Sequence, residues 1–370
     1  MSSDPILLTP GPLTTARATR EAMLRDWGSR DPAFLEINAR VRAHILNIAG
    51  VEDTHVCVPI QGSGTFAVEA AIGTLVPRTG KLLVLVNGAY GARMARICEV
   101  AAISHVTRRW SELEPVDAAE TARMLDADAS ISHVAVVHCE TTTGLLNPVA
   151  AVAAVVAQRK RGLIIDAMSA FGALESSPRE TCYDALVASS NKCIEGVPGI
   201  GFAVMRTAAL AACEGNARSL SMDLYDQWRG LERTKQWRFT PPTHVLAAFE
   251  QALKAHSAEG GVAGRGKRYR DNCRILVDGM RSLGFRTALP DDLQAPIIVT
   301  FLTPRDPRFE FERFYDGLAR RGFVIYPGKL TQADTFRIGC IGQVYPQDMQ
   351  RAVLAVREVL DEMGVQECAP

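Results

Sequence analysis

The run Ala188-Ser189-Ser190-Asn191-Lys192-Cys193 sets one lysine among small and polar residues. The apolar Ala185-Leu186-Val187 precedes it, and a glycine-rich turn, Gly196-Val197-Pro198-Gly199-Ile200-Gly201, follows. A surface lysine usually shares a helix flank with other charges. Lys192 instead follows an expected strand end with few charges nearby, as an amine held in a pocket would. Burial disfavours the ammonium form, so such an amine loses its proton near neutral pH and can attack a carbonyl. A structural buried lysine is the plain alternative, and the surrounding residues must decide between the two.

Asp166 closes the apolar Leu163-Ile164-Ile165. A carboxylate ending a buried strand is costly without a partner. After an earlier strand, Gln61-Gly62-Ser63-Gly64-Thr65 makes a tight turn into a helix. Backbone N–H groups at a helix start, with hydroxyls beside them, form a phosphate site. The same string fits GxGxxA, but no acidic residue ends the next strand at Val86-Asn87-Gly88, so a dinucleotide is rejected. An aldehyde for Lys192, a protonated ring nitrogen for Asp166 and a phosphate for Ser63, Gly64 and Thr65 together describe pyridoxal 5'-phosphate. Ser189-x-x-Lys192 also fits the S-x-x-K of serine acyl-transfer enzymes, yet no S-D-N or K-T-G accompanies it.

Other residues face the same sheet edge. Tyr90, in Asn87-Gly88-Ala89-Tyr90-Gly91, can stack on a flat ring or simply pack in the core. Glu140-Thr141-Thr142-Thr143-Gly144 gathers hydroxyls, or forms a turn. Gly11, between Pro10 and Pro12, lets a loop approach something closely, or marks a turn. Arg337 lies between Phe336 and Ile338, suited to bidentate capture of an anion or to a structural ion pair.

The elements that must position these residues alternate between about 55 and 205. Strands are predicted at 56–60, 82–86, 133–138, 163–166, 185–187 and 201–205, with helix-like stretches between, such as 148–161. Near-continuous apolar strands alternating with helices predict an α/β fold with a mostly parallel sheet covered on both faces. Ligands then bind beyond the carboxyl ends of the strands. Helices are expected at 15–23, 34–48, 243–257 and 263–283, and near 348–363. Strands are expected at 297–301, 324–326 and 335–339. The segment 219–242 reads as irregular. Glu259-Gly260-Gly261-Val262 reads as a hinge. The expected organisation is an arm or substrate loop over 1–20, a large cofactor domain over 21–258 and a smaller α/β domain over 259–370.

Hydrophobic residues make up 47% and charged residues 22%, with 41 basic and 41 acidic side chains. Balanced charge argues against nucleic acid or an anionic membrane as partner. The nine cysteines form no CxxC pair, which argues against zinc and against a disulfide framework. Met1-Ser2-Ser3-Asp4-Pro5 shows no basic n-region or apolar h-region, so a cytoplasmic chain is expected.

With these residues in place, the chain resembles the class V (fold type I) pyridoxal-phosphate aminotransferases along nearly its whole length. The strings that carry the likeness are Leu8 to Pro12, Gln61 to Thr65, Val86 to Met94, Glu140 to Gly144, Ile165 to Ser169, Ser190 to Cys193, Tyr326 to Lys329 and Phe336 to Gly339. The resemblance implies that Lys192 carries the cofactor aldehyde and shuttles the proton, and that Asp166 pairs with the ring nitrogen. It implies Tyr90 as the stacking ring, Ser63, Gly64, Thr65 and Asn191 as phosphate ligands, and Thr142 at the ring hydroxyl. Trp237 and Thr240 match a segment that reaches the neighbouring subunit's phosphate, implying a homodimer with shared sites. Arg337 takes the place of the substrate-anion arginine, with Gly11 in the loop lining that pocket. Asp26 to Asp31 is expected to border the substrate. Asn87 to Met94 and Tyr326 to Lys329 point to the branch that uses 2-aminoethylphosphonate and pyruvate; members using alanine or serine with glyoxylate are the alternative, and a cofactor-binding module without turnover the remote one.

Overall fold

The computed structural model describes residues 4–175, 181–331 and 333–370. Residues 1–3 of the expected arm lie outside it. Seven strands form the main sheet: β1 (His55–Gln61), β2 (Lys81–Val86), β3 (His105–Arg109), β4 (Ile131–Val137), β5 (Gly162–Asp166), β6 (Ala185–Ser189) and β7 (Ile200–Arg206). Their order is β1-β7-β6-β5-β4-β2-β3. The pairs from β3 through β6 are parallel, while β7 runs antiparallel to both β6 and β1.

Apolar side chains leave both faces of this sheet, and each face carries its own core. Leu83, Val136, Ile165 and Phe202 point to one, packed under the helix Pro32–Ala49. Leu82, Ala135, Ile164 and Ala203 point to the other, under the helices Gly64–Leu75 and Ala89–Val100. Alternation of neighbours between two buried layers is why these strands read as continuous apolar runs.

A second, antiparallel sheet joins Ile298–Leu302, Thr335–Gly339 and Tyr326–Pro327. It packs with the helices Gly261–Ser282, Phe311–Arg320 and Pro346–Met363 around a phenylalanine-rich core that includes Phe285, Phe301 and Phe336. Ile6–Leu7 pairs in parallel with Phe323–Val324, and Leu8 enters the same core. The N-terminal segment is thereby fastened beside the second sheet.

Three expectations change. β3 was not expected: as the sheet's edge it ends in Thr107-Arg108-Arg109 and lacks an apolar run. The single strand expected at 324–326 is two short ones, pairing with different partners on either side of the buried Ile325. The segment 219–242 holds a helix, Leu224–Thr234, capped by Asp223 accepting from the Asp226 N–H at 3.0 Å. Its buried Leu224, Trp228 and Leu231 sit at helical spacing, a signal masked by the surrounding charge.

Candidate active site

The carboxyl ends of β4, β5 and β6 open onto a cavity of about 520 Å³. Lys192, Asp166, Ser63, Gly64, Thr65, Tyr90, Asn191 and Gly11 all line it. β5 and β6 are neighbouring parallel strands, with Asp166 opposite Val187, so both side chains leave the sheet at one edge.

Burial pushes the Lys192 amine down to about 8, partly opposed by Cys193 and Asp166 and reinforced by Lys329 and Arg337. Its Nζ donates to the carbonyls of Pro10 at 2.7 Å and Gly11 at 3.2 Å. Gly11 has φ +110°, and a Cβ there would come within 2.7 Å of Asn191 O and Lys192 Cδ. Only glycine lets this loop lie against the lysine.

Burial pushes the Asp166 carboxyl up to about 6, opposed by the Met168 N–H, Lys192 and Arg93. Oδ1 accepts from Met168 N at 3.0 Å, and among the described residues Asp166 has no ion pair. A buried carboxylate with an unused oxygen facing a cavity is set up for a cationic hydrogen-bond donor.

Ser63 is the N-cap of Gly64–Leu75, yet its side chain caps nothing, so the hydroxyl and the first N–H groups are available to a ligand. Gly62 has φ +133°, and a Cβ on Gly64 would collide with Met168 Sδ, which makes both glycines necessary for this turn. Ser189 Oγ, buried and lining the same cavity, has no hydrogen-bond partner. Arg93 Nη1 donates to Thr65 Oγ1 at 3.1 Å, adding a cation at this end. Free hydroxyls, a helix N-terminus, an orphaned serine and an unpaired aspartate fit a phosphorylated pyridine aldehyde.

Glu140 belongs to the site although the sequence reading treated its segment as a cluster of hydroxyls. Its side chain is fully buried and accepts from the N–H groups of Tyr90 and Thr142, each at 3.2 Å, and from the Thr142 hydroxyl. A Cβ on Gly88 would strike Glu140, so the glycine makes room for it. Burial raises the Glu140 carboxyl, opposed mainly by its Thr142 bonds. The signal was the one used for Asp166, an acid following a buried strand.

Arg337 is 1% exposed and reaches the cavity wall from behind: Nη1 donates to Thr141 O at 2.7 Å and Nε to Pro327 O at 3.0 Å. It has no carboxylate partner among the described residues, so its charge awaits an anion. Thr142 stands behind the wall, its hydroxyl bound to Glu140. Trp237 and Thr240 do not line this cavity. Trp237 turns inward, Nε1 donating to Asn38 Oδ1 at 3.0 Å, and Thr240 is exposed. Asp26 to Asp31 does not line it either; Asp26 Oδ1 is 3.0 Å from His244 Nε2, and Trp27 packs on the first core. Among the described residues no helix is long and apolar enough to cross a membrane.

The fold and this edge-of-sheet site define a class, and the chain belongs to it: the family model "Aminotransferase class-V" matches residues 21–310. Within that family the chain is 57% identical over 363 residues to a 2-aminoethylphosphonate–pyruvate transaminase of Pseudomonas fluorescens, covering 98% of each chain. It is 56% identical over 363 residues to the transaminase of that name from Pseudomonas aeruginosa, again with 98% of each covered. Among solved structures, ureidoglycine–glyoxylate aminotransferase from Bacillus subtilis superposes with a TM-score of 0.90 at 21% identity, covering 99% of this chain and 95% of that one. Pyridoxamine–pyruvate aminotransferase from Mesorhizobium loti gives 0.89 at 24%, covering 98% and 94%. These two share the fold.

Proposed function

We propose that this enzyme moves the amino group of 2-aminoethylphosphonate to pyruvate, yielding phosphonoacetaldehyde and L-alanine. The observation that carries the reading is the meeting of a desolvated Lys192 and an unpaired Asp166 across one cavity, in a chain whose full-length relatives bear that name.

Pyridoxal 5'-phosphate is the cofactor of this reading and would be held by Ser63, Gly64, Thr65 and Asn191 at its phosphate, Asp166 at its ring nitrogen and Tyr90 at its ring, with Thr142 acting from behind through Glu140. When bound it supplies an aldehyde for the amine and a ring that accepts the electrons of the broken C–H bond. Lys192 holds its proton loosely, so near neutral pH Nζ can take a proton from the donor's carbon and return it on the other side. Asp166 is ionised above about pH 6 and keeps a positive charge on the ring nitrogen favourable. Arg337 holds the phosphonate of the donor and then the carboxylate of the acceptor, orienting each.

The segment of Trp237 and Thr240 belongs to a homodimer in this reading, with Trp237 anchoring it to Asn38 and the exposed Thr240 facing the partner's phosphate site. Phe239 (50% exposed) and Leu220 (75%) both meet Arg238, whose guanidinium lies 5.1 Å from the Phe239 ring and donates through Nη1 to Leu220 O at 3.0 Å, which supports an apolar contact surface there. Incubation with either 2-aminoethylphosphonate and pyruvate or L-alanine and glyoxylate separates the branches of the family. Alanine formed rapidly from the first pair supports the reading, and turnover of the second pair alone contradicts it.

A further inference from the structure

Arg337 alone is poorly matched to the donor. Two of its five N–H groups are given to backbone carbonyls, from Nη1 to Thr141 and from Nε to Pro327, which leaves one on Nη1 and two on Nη2 for a ligand. Its single positive charge matches a carboxylate monoanion. A phosphonate has three oxygens and, like a phosphate monoester, a charge near −2, so a desolvated charged oxygen would be left over.

Lys329 is the candidate for meeting that oxygen. Its backbone leaves the turn that holds Arg337, since Pro327 O is the acceptor for the guanidinium. The turn is pinned on one side by Gly328 N donating to Thr335 O at 2.9 Å, where a Cβ on Gly328 would strike Thr335 Oγ1. It is pinned on the other by Thr331, whose N–H and hydroxyl each donate to Glu112 Oε2 at 3.0 Å. Glu112 follows β3, so the loop bridges the two sheets. Among the described residues Lys329 has no ion pair or hydrogen bond, and it is exposed. The charges it senses are those of the site: Arg337 and Arg93 lower its pKa after burial does, and Glu140 raises it. Arg93 is not an equal candidate, because it is bound to Thr65 and lies over the Tyr90 ring, at the phosphate end.

We propose that Lys329 is the second cation of the phosphonate site, closing with Arg337 on the donor's tetrahedral dianion and standing idle toward a carboxylate. The proposal rests on the functional reading above and assigns a side chain that distinguishes the two half-reactions. A lysine on a bridging loop fits this use: a compact, mobile point charge can engage one substrate and release for the next.

The test uses the holoenzyme with 2-aminoethylphosphonate and pyruvate varied independently. Lys329→Gln is expected to raise KM for 2-aminoethylphosphonate about tenfold or more, with KM for pyruvate changed by less than about twofold. Lys329→Arg should recover most of the loss. An unchanged donor KM, or equal rises for both substrates, overturns the proposal. Failure of the wild type to use 2-aminoethylphosphonate at all would instead remove the functional reading, and this proposal with it.

Discussion

Lys192 and Asp166 stand at the ends of neighbouring parallel strands, whereas Arg337 and Lys329 come from a second sheet and a loop that crosses to Glu112. The first pair is placed by a rigid, doubly covered sheet, and both groups are perturbed by burial toward neutral pH. Among the described residues the second pair has no carboxylate partners, and it is held by backbone carbonyls and turn hydrogen bonds. Chemistry common to a family needs an invariant geometry, and strand ends supply it. Choice of substrate needs adjustable anion contacts, and a bridging loop supplies those.

That contrast can be broken most severely at Asp166. Asp166→Asn should lower kcat about a hundredfold or more, since removing the charge strands a protonated ring nitrogen in a dry site. The same change removes a buried carboxylate whose folded pKa is raised, a cost present above about pH 6 and gone below about pH 4. The variant without cofactor is therefore expected to melt slightly higher than wild type at pH 7.5 and to lose that advantage in acid, as calorimetry at the two pH values would check.

A smaller effect is expected in the second region. Arg337→Ala should raise KM for both substrates, by about thirtyfold or more, because a buried charge contact is lost in each half-reaction. Steady-state kinetics showing only one KM affected would put Arg337 and Lys329 in the wrong order of importance. The mildest probe is pH. The uncharged fraction of Lys192 grows as pH rises through about 8, so its rate of reaction with an added aldehyde should climb about tenfold per unit below that and level above it. A rate still climbing steeply at pH 10 would mean the amine is not desolvated.

The same division governs what could be read from residues alone. β5 and β6 are short apolar runs that end in Asp166 and near Lys192, so their sheet-edge position follows from pattern and the strand-end rule. Gly11 and the Ser63 turn were legible because glycine and helix-start chemistry are local. β3 was missed because an edge strand need not be apolar, and the helix Leu224–Thr234 because its buried stripe is interleaved with charges. Glu140 was overlooked as a positioning group, since its partners Tyr90 and Thr142 are joined to it only by folding. The nearness of Lys329 to Arg337 and Arg93 depends on a loop tied to Glu112, 219 residues away from Thr331, which no local pattern encodes.

Lys192 is proposed to perform amino transfer between a phosphonate amine and pyruvate. Phosphorus NMR of the holoenzyme with 2-aminoethylphosphonate and pyruvate, run beside Lys192→Ala, tests it directly. The wild type is predicted to convert the donor signal to that of phosphonoacetaldehyde, one equivalent per L-alanine formed, while the variant loses at least about a thousandfold in rate. An unchanged donor signal with wild type, or a variant that turns over at the wild-type rate, would contradict the account.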